Sequence, residues 1–284
     1  FRWRGIVAHG DESWVAADLP LPKLFPVLYE TLKWAVEETL ECIPTARRKE
    51  ATEAADRLLA IACDQADIEA HQSLADYYER LLGEAYEFVA GEHVELETTR
   101  TSRLLRFNCE TAGLPRFRIA DTFLRPVTSE HALRAYDEAI EGSEIYPLHR
   151  LGTGAIPFDL VVPGHGRGTL RIGSRGIVVM TPKPLFASLK RPITSIHDLA
   201  EVVEKKWGRE CALIGKAVTL IGMLATEFVF VFHHGASGYV RFSKRLHRRL
   251  RELDDDLHFH PILRVRYSAW DALHDTNVWL RLPD

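Results

Sequence analysis

The first ninety residues of the chain place apolar side chains at helical spacing. The stripes are, in order, Leu28, Leu32, Val36 and Leu40, then Leu58, Leu59, Ala62 and Cys63, then Leu74, Tyr77, Tyr78, Leu81 and Leu82. Glycine and proline are absent from the stripe interiors, as expected for amphipathic helices. The pattern predicts two to four packed helices, and we assign residues 1–91 to a mainly helical N-terminal region.

Three short runs rich in β-branched residues follow in the second half of the chain. The runs are Phe158–Val162, Thr169–Ile172 and Ile177–Met180, and glycine-rich connections at 164–168 and 173–176 join them. Short glycine-rich connections between such runs form hairpins. The pattern therefore predicts an antiparallel three-strand meander.

Residues 92–284 are predicted to form one α+β domain with a mixed sheet. Cys211–Thr226 is apolar on nearly all sides and is predicted as a buried helix that contains Lys216. Phe228–Phe232 does not alternate, which predicts a central strand covered on both faces. The other predicted elements are extended pieces at Leu104–Phe107 and Arg116–Ile119, helices from Ser129 and from Ser195, a basic helix at Tyr239–Leu253, and strands at Leu263–Tyr267 and Val278–Leu282.

Composition and charge narrow the class of protein. A chain of 284 residues with 46% hydrophobic and 27% charged residues is ordinary for a globular protein, which excludes collagen, a coiled-coil rod and wholesale disorder. The net charge is −10 over residues 1–150 and +6 over residues 151–284. A basic second half favours an anionic ligand or partner, although two oppositely charged halves also attract each other.

The cysteines and the longest apolar stretch bear on the setting of the chain. Cys42, Cys63, Cys109 and Cys211 are widely spaced and form no CxxC pair, so we expect reduced thiols and a cytoplasmic location. Lys216 and Glu227 interrupt the apolar stretch between residues 211 and 232. The run between them is too short to cross a bilayer, so no membrane partner is expected.

The segment from residue 233 to residue 241 is the first candidate for a functional site. A strand that ends in a small-residue loop at a helix amino end presents backbone N–H groups and the positive end of the helix dipole to an anion. His233 and His234 come at the strand end, Ser237 and Gly238 in the loop, and Arg241 in the first helical turn. The pattern predicts a site for a small anionic, phosphorylated molecule, and the alternative is a tight turn that needs small residues.

Three further cations extend the candidate ligand-binding set. Arg264 and Arg266 share one face of a predicted strand, where guanidinium groups suit bidentate binding of carboxylate or phosphate. Lys216 interrupts an apolar segment, and an unpaired buried ammonium is costly, so it has to reach solvent, pair with an anion or serve a site. These residues identify no cofactor, no reaction and no oligomeric state.

A second function class rests on the basic helix at Tyr239–Leu253. Its cations suit a nucleic-acid or protein partner, and they are Lys244, Arg245, Arg248, Arg249 and Arg251. The acidic run at 254–256 follows directly and weakens a nucleic-acid footprint. We therefore favour the small-ligand site and keep the interaction module as the alternative.

Two catalytic or metal-binding patterns are weaker still. His258 and His260 have the spacing of two ligands on one strand face, with Asp256 as a third, but no HExxH motif is present and a solvated loop fits the segment better. We predict no metal site. Ser237 as a nucleophile lacks the GxSxG context of a strand–turn–helix elbow.

Overall fold

The computed structural model describes residues 15–63, 73–93, 95, 97–233 and 238–265. The described residues fall into two compact units, divided between Arg100 and Thr101. Helices come first and an antiparallel sheet follows, which confirms the α+β class. The domain assignment made from the sequence, with its boundary after residue 91, stays a prediction.

Among its described residues the N-terminal unit contains three α-helices, within the two to four that its hydrophobic stripes predict. They are α1 (Leu21–Glu41), α2 (Thr45–Ala62) and α3 (Leu74–Ala90). Ser73 and Asp76 form a reciprocal capping box at the start of α3. The core of this unit is formed by Leu19, Leu21, Phe25, Leu28, Leu74 and Tyr77.

The second unit combines six helices and seven strands among its described residues. The helices are α4 (Thr101–Leu104), α5 (Arg118–Thr122), α6 (Ser129–Ala139), α7 (Ile196–Trp207), α8 (Ala217–Ala225) and α9 (Val240–Leu253). The strands are β1 (Ala155–Val162), β2 (Gly166–Ile172), β3 (Gly176–Met180), β4 (Leu185–Ser188), β5 (Ala212–Gly215), β6 (Phe230–His233) and β7 (Ile262–Val265). In this unit and in the first, no described helix has the length and apolarity needed to cross a membrane.

The main sheet confirms the predicted meander and extends it at both edges. Its strand order is β4-β3-β2-β1-β5, and every neighbouring pair is antiparallel. All eight residues of β1 are buried, which makes β1 the centre of the core of this unit. Ser195 caps α7 as predicted, because its hydroxyl accepts a hydrogen bond from the backbone N–H of Asp198.

The prediction of one buried helix over Cys211–Thr226 is wrong. The segment divides into β5, which pairs with β1, and the helix α8, with Lys216 at the N-cap between them. A Cβ atom at Gly215 would lie 2.4 Å from the backbone nitrogen of Leu220, so only glycine lets the first turn of α8 approach the strand this closely. An unbroken apolar run fits a buried strand and a buried helix equally well, and the pairing with β1 decides between them.

The prediction of a central strand at Phe228–Phe232 is also wrong. The strand β6 begins at Phe230 and, within the part of the chain that the structure describes, pairs with β7 alone, in a separate parallel two-stranded sheet. Val229 and Val231 are each 52% exposed, so the segment is not covered on both faces. A run of aromatic and β-branched residues predicts strand conformation, but its lack of alternation does not by itself establish burial.

Smaller differences concern the connecting segments. Arg116–Ile119 is helical rather than extended, whereas Arg106, within the predicted piece Leu104–Phe107, does form a bridge to Ala212 of β5. Ser129 begins α6, but the N-cap is Thr128, which makes no side-chain cap. The predicted strand Val278–Leu282 lies outside the described residues.

Candidate functional site

A cleft of about 710 Å³ lies where the amino ends of α8 and α9 meet the loop that follows α6. Lys216 and Ala217 line it from the start of α8, and Gly238 and Arg241 line it from the start of α9. The volume is typical of a small-molecule site. Three residues that the sequence assigns to ligand binding, Lys216, Gly238 and Arg241, therefore share one cavity.

The other predicted site residues are not brought into this cleft by the described part of the structure. His233 is the last residue of β6, and Arg264 of β7 lies opposite Phe232 of β6 in the strand register. The structure describes only the backbones of His233 and Arg264. His234, Ser237 and Arg266 lie outside the described residues. Their place in the ligand-binding set therefore stays a prediction.

Lys216 forms an ion pair with Asp159, a buried carboxylate on β1, and so has the anionic partner that a largely buried ammonium group needs. Its Nζ atom donates hydrogen bonds to Asp159 Oδ1 at 2.6 Å and to Thr169 Oγ1 at 3.0 Å. Asp159 and Thr169 face each other across β1 and β2 in the strand register. Two strands of the rigid sheet thus hold the ammonium group at the wall of the cleft.

The charge cluster around Asp159 carries an excess of positive charge. Arg167, also on β2, donates from its guanidinium group to Asp159 Oδ2 at 2.8 Å. Only 9% of the Asp159 side chain is exposed, against 20% for Lys216 and 40% for Arg167. One buried carboxylate between two cations leaves a net charge of about +1 beside the cleft, which favours an anionic occupant.

The amino ends of two helices border the same cleft. Neither α8 nor α9 has a side-chain cap at its N-cap residue, and neither has an acidic residue in its first turn. The positive ends of both dipoles add to the field of Lys216. Arg241 sits in the first turn of α9, where the helix dipole disfavours a cation, so a role toward an anion accounts better for its position.

Tyr136 contributes a buried hydroxyl that has no partner among the described residues. The side chain extends from α6 and lines the cleft, its exposed fraction is 0%, and no hydrogen bond to its Oη atom is formed within the described ranges. Burial raises the pKa of the phenol, and the charges of Asp137 and Asp159 add to the rise. The hydroxyl therefore stays protonated at neutral pH and is available as a hydrogen-bond donor.

Gly238 leaves space at the mouth of the cleft. Its backbone is not in the left-handed region, and a Cβ atom placed on it would meet no atom of the described residues within 4 Å. A larger residue there is therefore tolerated by the backbone and adds volume to the cleft wall. This open position allows a substitution that blocks the cleft without straining the fold.

Two other clefts of comparable size differ in their linings. One, of about 780 Å³, has an apolar floor and three carboxylates at its rim, Glu130, Asp137 and Glu138. The other, of about 850 Å³, lies beside α7, where Arg191 is already paired with Asp198 and Glu201. Neither lining contains a predicted ligand-binding residue.

The basic helix presents a charged surface outside the cleft. Phe242, Leu246 and Leu250 of α9 are buried, while its cations face outward. In the acidic run that follows, Asp254 pairs with Arg118 of α5 at 3.3 Å and with Arg125, beyond that helix, at 2.8 Å. Burial opposes ionisation of Asp254, but the hydrogen bond and charge of Arg118 hold its pKa below the ordinary value. Asp254 therefore has its cationic partners outside α9, and the weakening of a nucleic-acid footprint by the acidic run stays a prediction.

The structure offers no grouping of metal ligands in the ranges it describes. His258 and His260 are exposed in the segment between α9 and β7, and no three His, Cys, Asp or Glu side chains come together among the described residues. All four cysteines are unpaired.

Sequence reasoning missed Asp159 and Tyr136. Asp159 carries a usable signal, because a lone carboxylate in the apolar run Ala155–Val162 needs a partner as much as Lys216 does. Tyr136 carries none, since its position on the apolar face of α6 is that of a core residue. Comparisons with protein-family models, with curated proteins and with solved structures found no match, so the geometry of the cleft carries the functional argument.

Proposed function

We propose that the second unit binds a small anionic, phosphate-bearing molecule in the cleft between α6, α8 and α9. The observation that carries the proposal is that Lys216, Arg241 and Tyr136, whose buried hydroxyl has no described partner, line one cavity at two helix amino ends. A phosphate group accepts hydrogen bonds from all of these donors and neutralises the excess positive charge.

Thermal stabilisation by inorganic phosphate tests this proposal. A ligand that binds only the native state adds RT ln(1 + [L]/Kd) to its stability, about 2.7 kcal/mol at 100 Kd. We expect wild-type protein to gain this stabilisation and Arg241→Ala to lose much of it while folding normally, because Arg241 is exposed. Gly238→Val should lose it as well, since its side chain fills the cleft mouth.

Arg248→Ala is the matched control. Arg248 is exposed on the same helix but does not line the cleft, so its removal should leave the stabilisation unchanged. Equal losses in Arg241→Ala and Arg248→Ala would show diffuse charge rather than a site. Absence of stabilisation in the wild type by any phosphate-bearing compound would overturn the proposal.

The outer face of α9 favours a second candidate, an interaction surface for nucleic acid. Within the described residues, Arg249 is the one α9 cation held in ion pairs, with Glu138 at 3.6 Å and Glu252 at 3.3 Å. Lys244, Arg248 and Arg251 are exposed and have no carboxylate partner there. Such a face suits the phosphates of a nucleic-acid strand.

Salt-dependent binding of a short oligonucleotide tests this second candidate. Each phosphate contact adds about 0.7 to 0.9 to the slope of log K against log salt, so Arg248→Ala should reduce the slope by about one. Lys49→Ala, at an exposed position on α2, is the control. No measurable affinity at low salt, or the same loss from both variants, would exclude a binding surface on α9.

A further inference from the structure

We propose that the ligand of the cleft is a nucleoside monophosphate, an inference that rests on the proposed function. The cations and the helix amino ends would bind only the phosphate end of such a molecule. The rest of the lining includes two exposed aromatic rings and a carboxylate, which a bare phosphate does not use. These groups fit a base and a ribose.

The aromatic rings are the first observation. Four aromatic side chains line the cleft, and two of them, Tyr146 and Tyr239, are 58% and 45% exposed. A tyrosine ring in the wall of a cleft offers a π-face on which any base stacks, and such stacking is sequence-tolerant. The Arg150 guanidinium lies 4.5 Å from the centroid of the Tyr146 ring, so it covers one face and a base would stack on the other.

The carboxylate of Glu144 is the second observation. It lines the same cleft, is exposed, and forms no ion pair with a described residue. A carboxylate repels phosphate, so it belongs at the end of the ligand remote from Lys216 and Arg241. Carboxylate oxygens accept hydrogen bonds from two adjacent hydroxyl groups, which is the recognition that a ribose needs.

The loop that carries Glu144 and Tyr146 is held by its own hydrogen bonds. Ser143 Oγ donates to the carbonyl oxygen of Ile140 at 2.6 Å and accepts from the backbone N–H of Ile145 at 3.1 Å. The serine thus fixes the turn after α6, which presents Glu144 and Tyr146 to the cleft. A positioned carboxylate and ring lower the cost of ordering these groups on binding.

Calorimetric titration with a matched series of probes tests the inference. The probes are inorganic phosphate, ribose 5-phosphate, and the monophosphates of adenosine, guanosine, cytidine and uridine. We expect at least one nucleoside monophosphate to bind about tenfold or more tightly than ribose 5-phosphate, the increment of one stacked base. Tyr146→Ala and Tyr239→Ala should each reduce this ratio and leave the affinity for ribose 5-phosphate within about twofold of wild type.

Tyr86→Ala is the control, because Tyr86 is 49% exposed on α3 and does not line the cleft. Equal affinities for ribose 5-phosphate and all four nucleoside monophosphates would overturn the inference and leave the proposed function standing. A base preference that survives both cleft tyrosine substitutions would also overturn it. Failure of every probe, inorganic phosphate included, would overturn both.

Discussion

At the scale of single residues, buried polar groups with incomplete hydrogen bonding mark where the protein departs from an ordinary core. His247 on α9 is 8% exposed, stacks on Phe259 with a centroid distance of 4.2 Å, and leaves Nε2 without a partner among the described residues. Burial lowers the pKa of His247 to about 4. The imidazole is therefore neutral in the folded protein over the whole physiological pH range.

This burial has a consequence for the pH dependence of stability. The folded pKa of about 4 lies below the unfolded value of about 6.5, so the stabilisation is present above pH 6.5 and is lost as pH falls toward 4. Between pH 7 and pH 5 we expect the free energy of unfolding to fall by about 2 kcal/mol more in the wild type than in His247→Leu. Urea unfolding at the two pH values measures it, and parallel pH profiles would show that His247 does not stay neutral.

At the scale of elements, the close approach of α8 to α5 and α9 depends on one glycine. A Cβ atom at Gly222 would lie 2.5 Å from His247 Nε2 and 2.5 Å from Ile119 Cδ1. Gly83 in α3 is the matched position, since a Cβ atom there meets nothing within 4 Å. Both glycines lie within helices, but only Gly222 has neighbouring side chains in the space that a Cβ atom would fill.

Opposite effects on stability are expected from alanine at these two positions. Gly222→Ala should destabilise the protein by about 1–3 kcal/mol through overpacking. Gly83→Ala should stabilise it by up to about 1 kcal/mol, because alanine is the better helix former. Chemical denaturation measures both, and stabilisation by both substitutions would contradict the packing of α8 described above.

The sequence predicts the elements whose patterns lie within the element itself or its flanking turns. It does not predict the elements that depend on pairing with a strand distant in the chain. The meander follows from glycine-rich turns between β-branched runs, and α9 from its own amphipathic pattern. Cys211–Thr226 is different, because its division into β5 and α8 depends on pairing with β1, some fifty residues earlier in the chain. The exposure of β6 likewise depends on its pairing with β7, some thirty residues later in the chain.

At the scale of the whole molecule, the functional site follows from charge brought together across distant segments. Lys216 and Arg241 could be selected from the sequence, because a cation is unfavourable in an apolar segment or at a helix amino end unless an anion lies near it. Their meeting in one cleft, and the contribution of Tyr136, depend on how α6, α8 and α9 pack. Residues 234–237, Ser237 among them, lie outside the described residues, so their part in the site remains a prediction.

The most direct test of the central claim is a calorimetric titration of inorganic phosphate into wild-type protein and Tyr136→Phe. Removing a buried hydroxyl that lacks a partner should leave the unliganded protein at least as stable as wild type. If the hydroxyl donates to the bound anion, its loss should weaken phosphate binding by about tenfold, the value of a hydrogen bond to a charged group. Equal phosphate affinity in the two proteins, or no binding by the wild type, would contradict an anion site in this cleft.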